Sequence, residues 1–183
     1  MPAKKKTNEE GYSLIELLTV SVILLIILGI ISTVVSGVQS NYRVQRERAE
    51  KHYEALASMN LITKILKVAG NKTTQPALTP TGSNRLQIIS DWNPADDAVD
   101  DVFENVQFYV SDNKLLMIDA SSGTTPNELA RNIQSITFEY FDVGGASTAV
   151  MTNVAMVRVT ISIIGEPQPL ISNISLRGKI QPR

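Results

Sequence analysis

At 183 residues the chain is long enough for one domain with its own core and too short for two large ones, and its apolar share of 43% and charged share of 19% are those of an ordinary globular protein. Seventeen basic and eighteen acidic residues give a formal net charge of -1 with Lys and Arg scattered along the chain, which argues against a nucleic-acid partner. The absence of cysteine excludes disulfides, thiolate metal sites and a cysteine nucleophile, so an exported domain would rest on its core or on its neighbours.

The first residues are polar, with Lys4, Lys5, Lys6, Asn8, Glu9, Glu10 and then Gly11. Residues 17–35 read LLTVSVILLIILGIISTVV, without charge or proline, and the only polar members are Ser and Thr, whose hydroxyls can bond back to a helix. At about 1.5 Å per residue this stretch has close to the length that spans roughly 30 Å of hydrocarbon, and a membrane helix is the direct reading. The three lysines before it point to a cytoplasmic N-terminus by the positive-inside rule, with the rest of the chain outside. A helix buried in a soluble core and a secretory signal peptide are the competing readings. The apolar stretch is longer than a usual signal core, no small-x-small site follows it cleanly, and the helical pattern continues through Asn41, Tyr42 and Arg43.

Glu16 stands at the entrance of this apolar helix, between Leu14, Ile15, Leu17 and Leu18. An unpaired carboxylate there costs several kcal/mol or takes up a proton, so a cationic partner is expected unless the side chain sits at headgroup level facing water.

The string Gly11-Tyr12-Ser13-Leu14-Ile15-Glu16-Leu17-Leu18 resembles the processing motif of type IV prepilins, lying between a basic leader and a spanning helix as that motif requires. The resemblance implies cleavage by a prepilin peptidase between Gly11 and Tyr12, N-methylation of Tyr12, and assembly through Glu16, the fifth residue of the mature chain. The new ammonium group would be the counter-charge of Glu16, and pairing between staggered neighbours would set axial register as subunits add. Tyr12 stands where the family usually has Phe. Major pilins often carry Pro at the twenty-second mature position, here Thr33, which leaves Gly29 and Gly37 as the weak points of the helix.

Residues 39–68 predict an amphipathic helix continuing the first, with Val44, Ala55, Leu56, Met59, Ile62, Ile65, Leu66 and Ala69 recurring at spacings of three and four. Arg43, Arg46, Glu47, Arg48, Glu50, Lys51 and Glu54 crowd its first turns, Gly70-Asn71 is a stop signal, and its apolar face is expected to pack on a sheet. His52, the only histidine, has no neighbours at ligand spacing and reads as a solvated helix residue.

Residues 71–84 read as a loop by composition, and short alternating runs follow at 85–90, 106–110, 114–118, 135–141, 154–164 and 170–180. About six strands are expected, mostly antiparallel, with Ser111-Asp112-Asn113 as a hairpin turn. Phe108, Leu116, Ile136, Phe138, Tyr140, Val157, Val159, Ile161 and Ile163 are the core candidates of this head. Residues 132–142 (NIQSITFEYFD), the Gly-Gly turn, the long β run and a last strand ending Ser175-Leu176-Arg177 resemble the PilW-type minor pilins and the J-type pseudopilins of type II secretion, as does the helix segment 62–70.

Asp91, Asp96, Asp97, Asp100 and Asp101 surround Trp92 and Pro94 in an acidic loop. Hard cations favour clustered carboxylates, but the spacing lacks the glycine and terminal glutamate of a calcium loop; Asp96, Asp97, Asp100 and Asp101 are weak metal candidates beside the reading as a solvated loop. There is no nucleophile elbow, phosphate-binding loop, dinucleotide fingerprint or zinc signature, so neither an enzyme nor a cofactor is expected.

The expected fold is α+β, a long N-terminal helix with a membrane-spanning half and an amphipathic half packed on an antiparallel, pilin-like β head. The expected organisation is leader 1–11, spanning and polymerisation helix 12–38, amphipathic helix 39–70 and head 71–183. The function implied by the resemblance is that of a structural subunit, a minor pilin or pseudopilin of a type IV pilus or type II secretion pseudopilus. Its partners would be other such subunits, the prepilin peptidase, the inner-membrane assembly machinery and lipid; its precursor would sit in a bacterial inner membrane, with the head periplasmic or extracellular. A filament-forming major pilin and a membrane-anchored binding module that never polymerises are the alternatives.

Overall fold

The computed structural model describes residues 13–70, 76–82, 84–90 and 101–176. The chain divides into two compact units, residues 1–47 and 48–183. Helix α1 runs over Leu14–Val68.

In the first unit α1 carries no buried residue. Its aliphatic side chains between residues 17 and 35 are about half to two-thirds exposed, from 47% at Val35 to 68% at Leu25. The hydroxyls close on the helix as their spacing suggested: Thr19 Oγ1 donates to the Ile15 carbonyl at 2.6 Å, Ser21 Oγ to Leu17 at 2.8 Å and Ser36 Oγ to Ser32 at 2.9 Å. Thr33 Oγ1 reaches the carbonyls of both Gly29 and Ile30, at 2.8 and 2.9 Å. These bonds let a polar side chain lie within an apolar helix without an unsatisfied donor.

The second unit starts with the rest of α1, whose buried face is Ala55, Ser58, Met59, Ile62, Ile65 and Leu66, continued by Ala69. This is the expected stripe, with two corrections. Val44 and Leu56 are exposed, at 47% and 49%. Burial sets in only from Lys51, because Val44 stands alone among polar residues and extends no stripe, and Leu56 lies one position, about 100°, off the line of Ala55 and Met59. The helix ends as read: Gly70 takes φ 75 and its N–H bonds to the Ile89 carbonyl at 2.9 Å. A Cβ on Gly70 would stand 2.8 Å from the Ala77 Cβ, so the stop needs glycine for space as well as for its backbone.

Among the described residues eight strands follow: β1 Leu78–Pro80, β2 Arg85–Ile89, β3 Asn105–Ser111, β4 Lys114–Asp119, β5 Asn127–Arg131, β6 Ile133–Phe141, β7 Met156–Ile163 and β8 Leu170–Ser175. All pair antiparallel, and they form two sheets, one ordered β1-β2-β3-β4-β5 and the other β6-β7-β8. Strand β6 runs against β2, β3 and β4. The hairpin at Asp112-Asn113 has φ 51 and 59 at its two central residues, the mirror-image turn that matches strand twist, and Asn and Asp tolerate it best after glycine.

One core joins the buried face of α1 to both sheets, through Leu86, Val106, Phe108, Leu115 and Met117 on one and Ile133, Ile136, Val157, Val159, Ile161 and Ile163 on the other. Leu116 is a correction: it is only partly buried, and Leu115 and Met117 point inward instead. Residues 115–118 are apolar at both phases, so the pairing of Leu115 with Val110 and Met117 with Phe108 chooses the face. Tyr140 packs against the core while staying partly buried, and its burial pushes the phenol up to about 12.

Strands β1 and β5 were not expected. The first lies inside the segment read as a loop, and the second, Asn-Glu-Leu-Ala-Arg, is built largely of helix formers. Residues 177–180 of the last expected strand lie outside the described residues.

Candidate functional site

The feature that sets this chain apart from an ordinary soluble domain is the start of α1. The Ser13 carbonyl accepts the Glu16 N–H at 3.0 Å and the Leu17 N–H at 3.2 Å, which makes Ser13 the N-cap. Glu16 reaches back, its Oε2 accepting the Ser13 N–H at 3.2 Å. This is one arm of a capping box, and it places a negative charge at the positive end of the helix dipole. Glu16 is exposed and therefore has a local partner that the sequence reading did not foresee, although Ser-x-x-Glu before an apolar run is its signature. Gly11 and Tyr12, the expected cleavage and methylation positions, lie outside the described residues.

From Leu17 to Val38 the helix offers apolar surface and backbone-satisfied hydroxyls. By length and composition α1 can cross a membrane.

On the second unit the charged turns of α1 are engaged in part with the head. Glu54 Oε2 accepts the Arg131 N–H at 3.0 Å, at the end of β5. His52, expected to be solvated, is half-exposed, with Nε2 3.6 Å from Glu166 Oε2 in the turn between β7 and β8; Arg48 Nε lies 4.0 Å from the other oxygen. Sequence spacing could not show this, because Glu166 lies far along the chain.

Two further carboxylates are deeply buried and were not singled out. Glu104 is fully buried and Asp119 is 3% exposed. Asp119 Oδ2 accepts the Phe103 N–H at 2.9 Å, and Oδ1 accepts the Ser121 N–H at 3.2 Å and its hydroxyl at 2.6 Å. Burial pushes this carboxyl up, but the bonds from Ser121 and Phe103 outweigh it and hold it below the usual carboxylate range. Glu104 Oε2 accepts the Asp101 N–H at 2.9 Å. Together the two acids tie down backbone at residues 101–103, where Phe103 takes φ 70. The Asp-x-Ser at 119–121 was a legible turn signal; the partners across the chain were not.

Of the weak metal candidates, Asp101 is exposed and Asp96, Asp97 and Asp100 lie outside the described residues, as do Asp91, Trp92 and Pro94. Among the described residues no three acidic or histidine side chains come together in a metal-holding group.

On the first sheet Lys114 and Arg131 stand directly opposite each other in β4 and β5, a repulsive pairing relieved by Glu128. Its carboxylate bonds to Arg131 Nε and lies 2.7 Å from Lys114 Nζ, and the bonds to these two cations hold it below its ordinary range.

The geometry thus gathers its one unusual element at the N-terminus: an apolar helix without buried residues, opened by a capped acid and continuous in sequence with the helix face that closes the head's core. No known family model matches the chain, and no curated protein matches it.

Proposed function

We propose that this chain is a structural subunit of the type IV pilin-like kind, a minor pilin or pseudopilin, held in the membrane as a precursor and assembled through α1 after removal of residues 1–11. It is not an enzyme on this reading, and its partners are like subunits, the prepilin peptidase, the assembly machinery and lipid. The observation that carries the reading is the first half of α1. Its aliphatic residues have nothing to bury against within their own unit, yet the sequence opens that helix with Glu16 four residues after a Gly11-Tyr12 junction. Water does not tolerate such a surface; lipid does, and so does a bundle of identical helices.

In the bundle, an ammonium group at Tyr12 of one subunit meets Glu16 of its neighbour and fixes the stagger between them. The capping bond from Ser13 favours a second reading, a membrane-anchored head that never polymerises, because it gives Glu16 a task that needs no neighbour. Glu16→Gln separates the two. Glutamine serves as well as glutamate at the third position of a capping box, but it cannot pair with a cation. The pilin-like reading expects Glu16→Gln to accumulate in membranes at normal levels and to be lost from the assembled, sheared fraction by tenfold or more. Normal assembly of Glu16→Gln would leave capping as the whole role of Glu16 and favour the anchor.

A further inference from the structure

We propose that the outer edge of β8 is a docking site for an extended segment of another polypeptide, which adds to the β6-β7-β8 sheet as a fourth strand. This does not depend on the pilin-like reading, since it rests on the head alone.

A sheet edge is a row of unpaired main-chain donors and acceptors, and folds blunt such edges with proline, charge, bulges, shortness or a covering segment. Three of the four edges here are blunted. Strand β1 has three residues and ends in Pro80. Strand β5 carries Glu128 and Arg131 and is irregular where it passes Leu115 and Leu116. The outer edge of β6 is met at both ends by the chain itself: the Ile133 N–H bonds to the Asn113 carbonyl at 2.9 Å, and the Tyr140 carbonyl accepts the Thr148 N–H at 2.9 Å.

Among the described residues strand β8 has none of these devices. Its six residues, Leu-Ile-Ser-Asn-Ile-Ser, include no charge, proline or glycine, and its register with β7 runs unbroken from Leu170 to Ser175.

The register also says which groups are free. The Ile164 N–H bonds to the Asn132 carbonyl, so the even-numbered residues of β7 face β6 and its odd-numbered ones face β8. Val157, Val159 and Ile161 stand opposite Ile174, Ser172 and Leu170, and the bond from the Leu176 N–H to the Ala155 carbonyl continues the same phase. The N–H and C=O groups of Ile171, Asn173 and Ser175 therefore point away from β7. These three residues are exposed, Ile171 at 59%, and among the described residues no strand pairs with them.

The edge itself specifies the occupant. Water solvates these six main-chain groups while the edge is open, and the ligand whose own donors and acceptors match all six in a row is another extended backbone. The one charged residue of β7, Arg158, is already held by Glu139 at 3.1 Å and by the Asn173 side chain at 3.0 Å, and β8 carries none, so neither strand at this edge offers an unpaired charge to an ionic ligand. The matching segment is about five residues long and uncharged, with an apolar side chain opposite Ile171 and small polar ones opposite Asn173 and Ser175.

The test is amide hydrogen exchange on the full chain in detergent micelles. Ile171, Asn173 and Ser175 should exchange roughly tenfold or more faster than Leu170, Ser172 and Ile174, whose N–H groups bond to β7. Equal protection of all six would mean that the chain covers this edge itself and would overturn the proposal. The capped pentapeptide Thr-Val-Thr-Val-Val, which on antiparallel pairing puts valine opposite Ile171 and threonine opposite Asn173 and Ser175, should at millimolar concentration slow the three fast amides several-fold, whereas the same peptide with proline at its centre should not. No slowing, or equal slowing by both peptides, would also overturn it. Asn173→Pro removes an outward N–H and no β7 bond, and should abolish the response in a folded head. If that variant does not fold, Ile171→Lys, which keeps the backbone and places a charge on the edge, should weaken the response, and an undiminished response would contradict the docking site.

Discussion

Two carboxylates carry opposite lessons at the scale of single residues. Glu16 stood out in the sequence as an acid among leucines, and the structure gives it a backbone partner one turn away. Asp119 did not stand out, and it is the better satisfied of the two, with three donors around a side chain 3% exposed. Its carboxyl is held below the ordinary range, so the folded state favours the charged form. The stabilisation is therefore complete above the unfolded value of about 3.9 and is lost as pH falls below it toward the lower folded value. Asp119→Asn should cost about 1–3 kcal/mol at neutral pH, because an amide nitrogen is turned toward a donor it cannot accept from. In urea melts the gap between the two proteins should narrow as pH is taken from neutral to below about 4. A gap that stays constant over that range would mean that the charge of Asp119 contributes nothing.

At the scale of elements, legibility followed how far the determining contact lay along the chain. The two halves of α1 were readable because a helix states its environment in its own periodicity: uniform apolarity over residues 17–35, then a stripe from Ala55 to Ala69. The longer strands were readable by alternation for the same reason. Leu78–Pro80 and Asn127–Arg131 were not, because their own residues favour other states and the neighbours β2 and β4 supply the pairing. The inward phase of Leu115 and Met117 and the division into two sheets likewise depend on partners rather than on local sequence. A chain that begins at Gln39 keeps every buried residue of α1 and discards the apolar half. It should be monodisperse in plain buffer with the far-ultraviolet signature of an α+β fold, whereas the full chain should require detergent, since each exposed Leu or Ile forgoes about 1.5–3 kcal/mol of burial. A full chain that is monodisperse without detergent would remove the membrane reading.

For the whole molecule, the division of labour follows from where apolar surface is left open. The head closes its own core around residues 55–69 of α1, while the described residues of the first unit are all exposed and leave a second need, cover for an apolar helix long enough to cross a membrane. On the pilin-like reading the second need is met twice, by the membrane before processing and by neighbouring subunits afterwards, and the step between them is the cut at Gly11. That step is the centre of the account. It is tested most directly by the intact mass and N-terminal sequence of the protein recovered from its native membrane or sheared surface fraction. A subunit processed in this way starts at Tyr12 with a methylated amine. A chain retaining residues 1–11, or one cut after the apolar stretch, would contradict it.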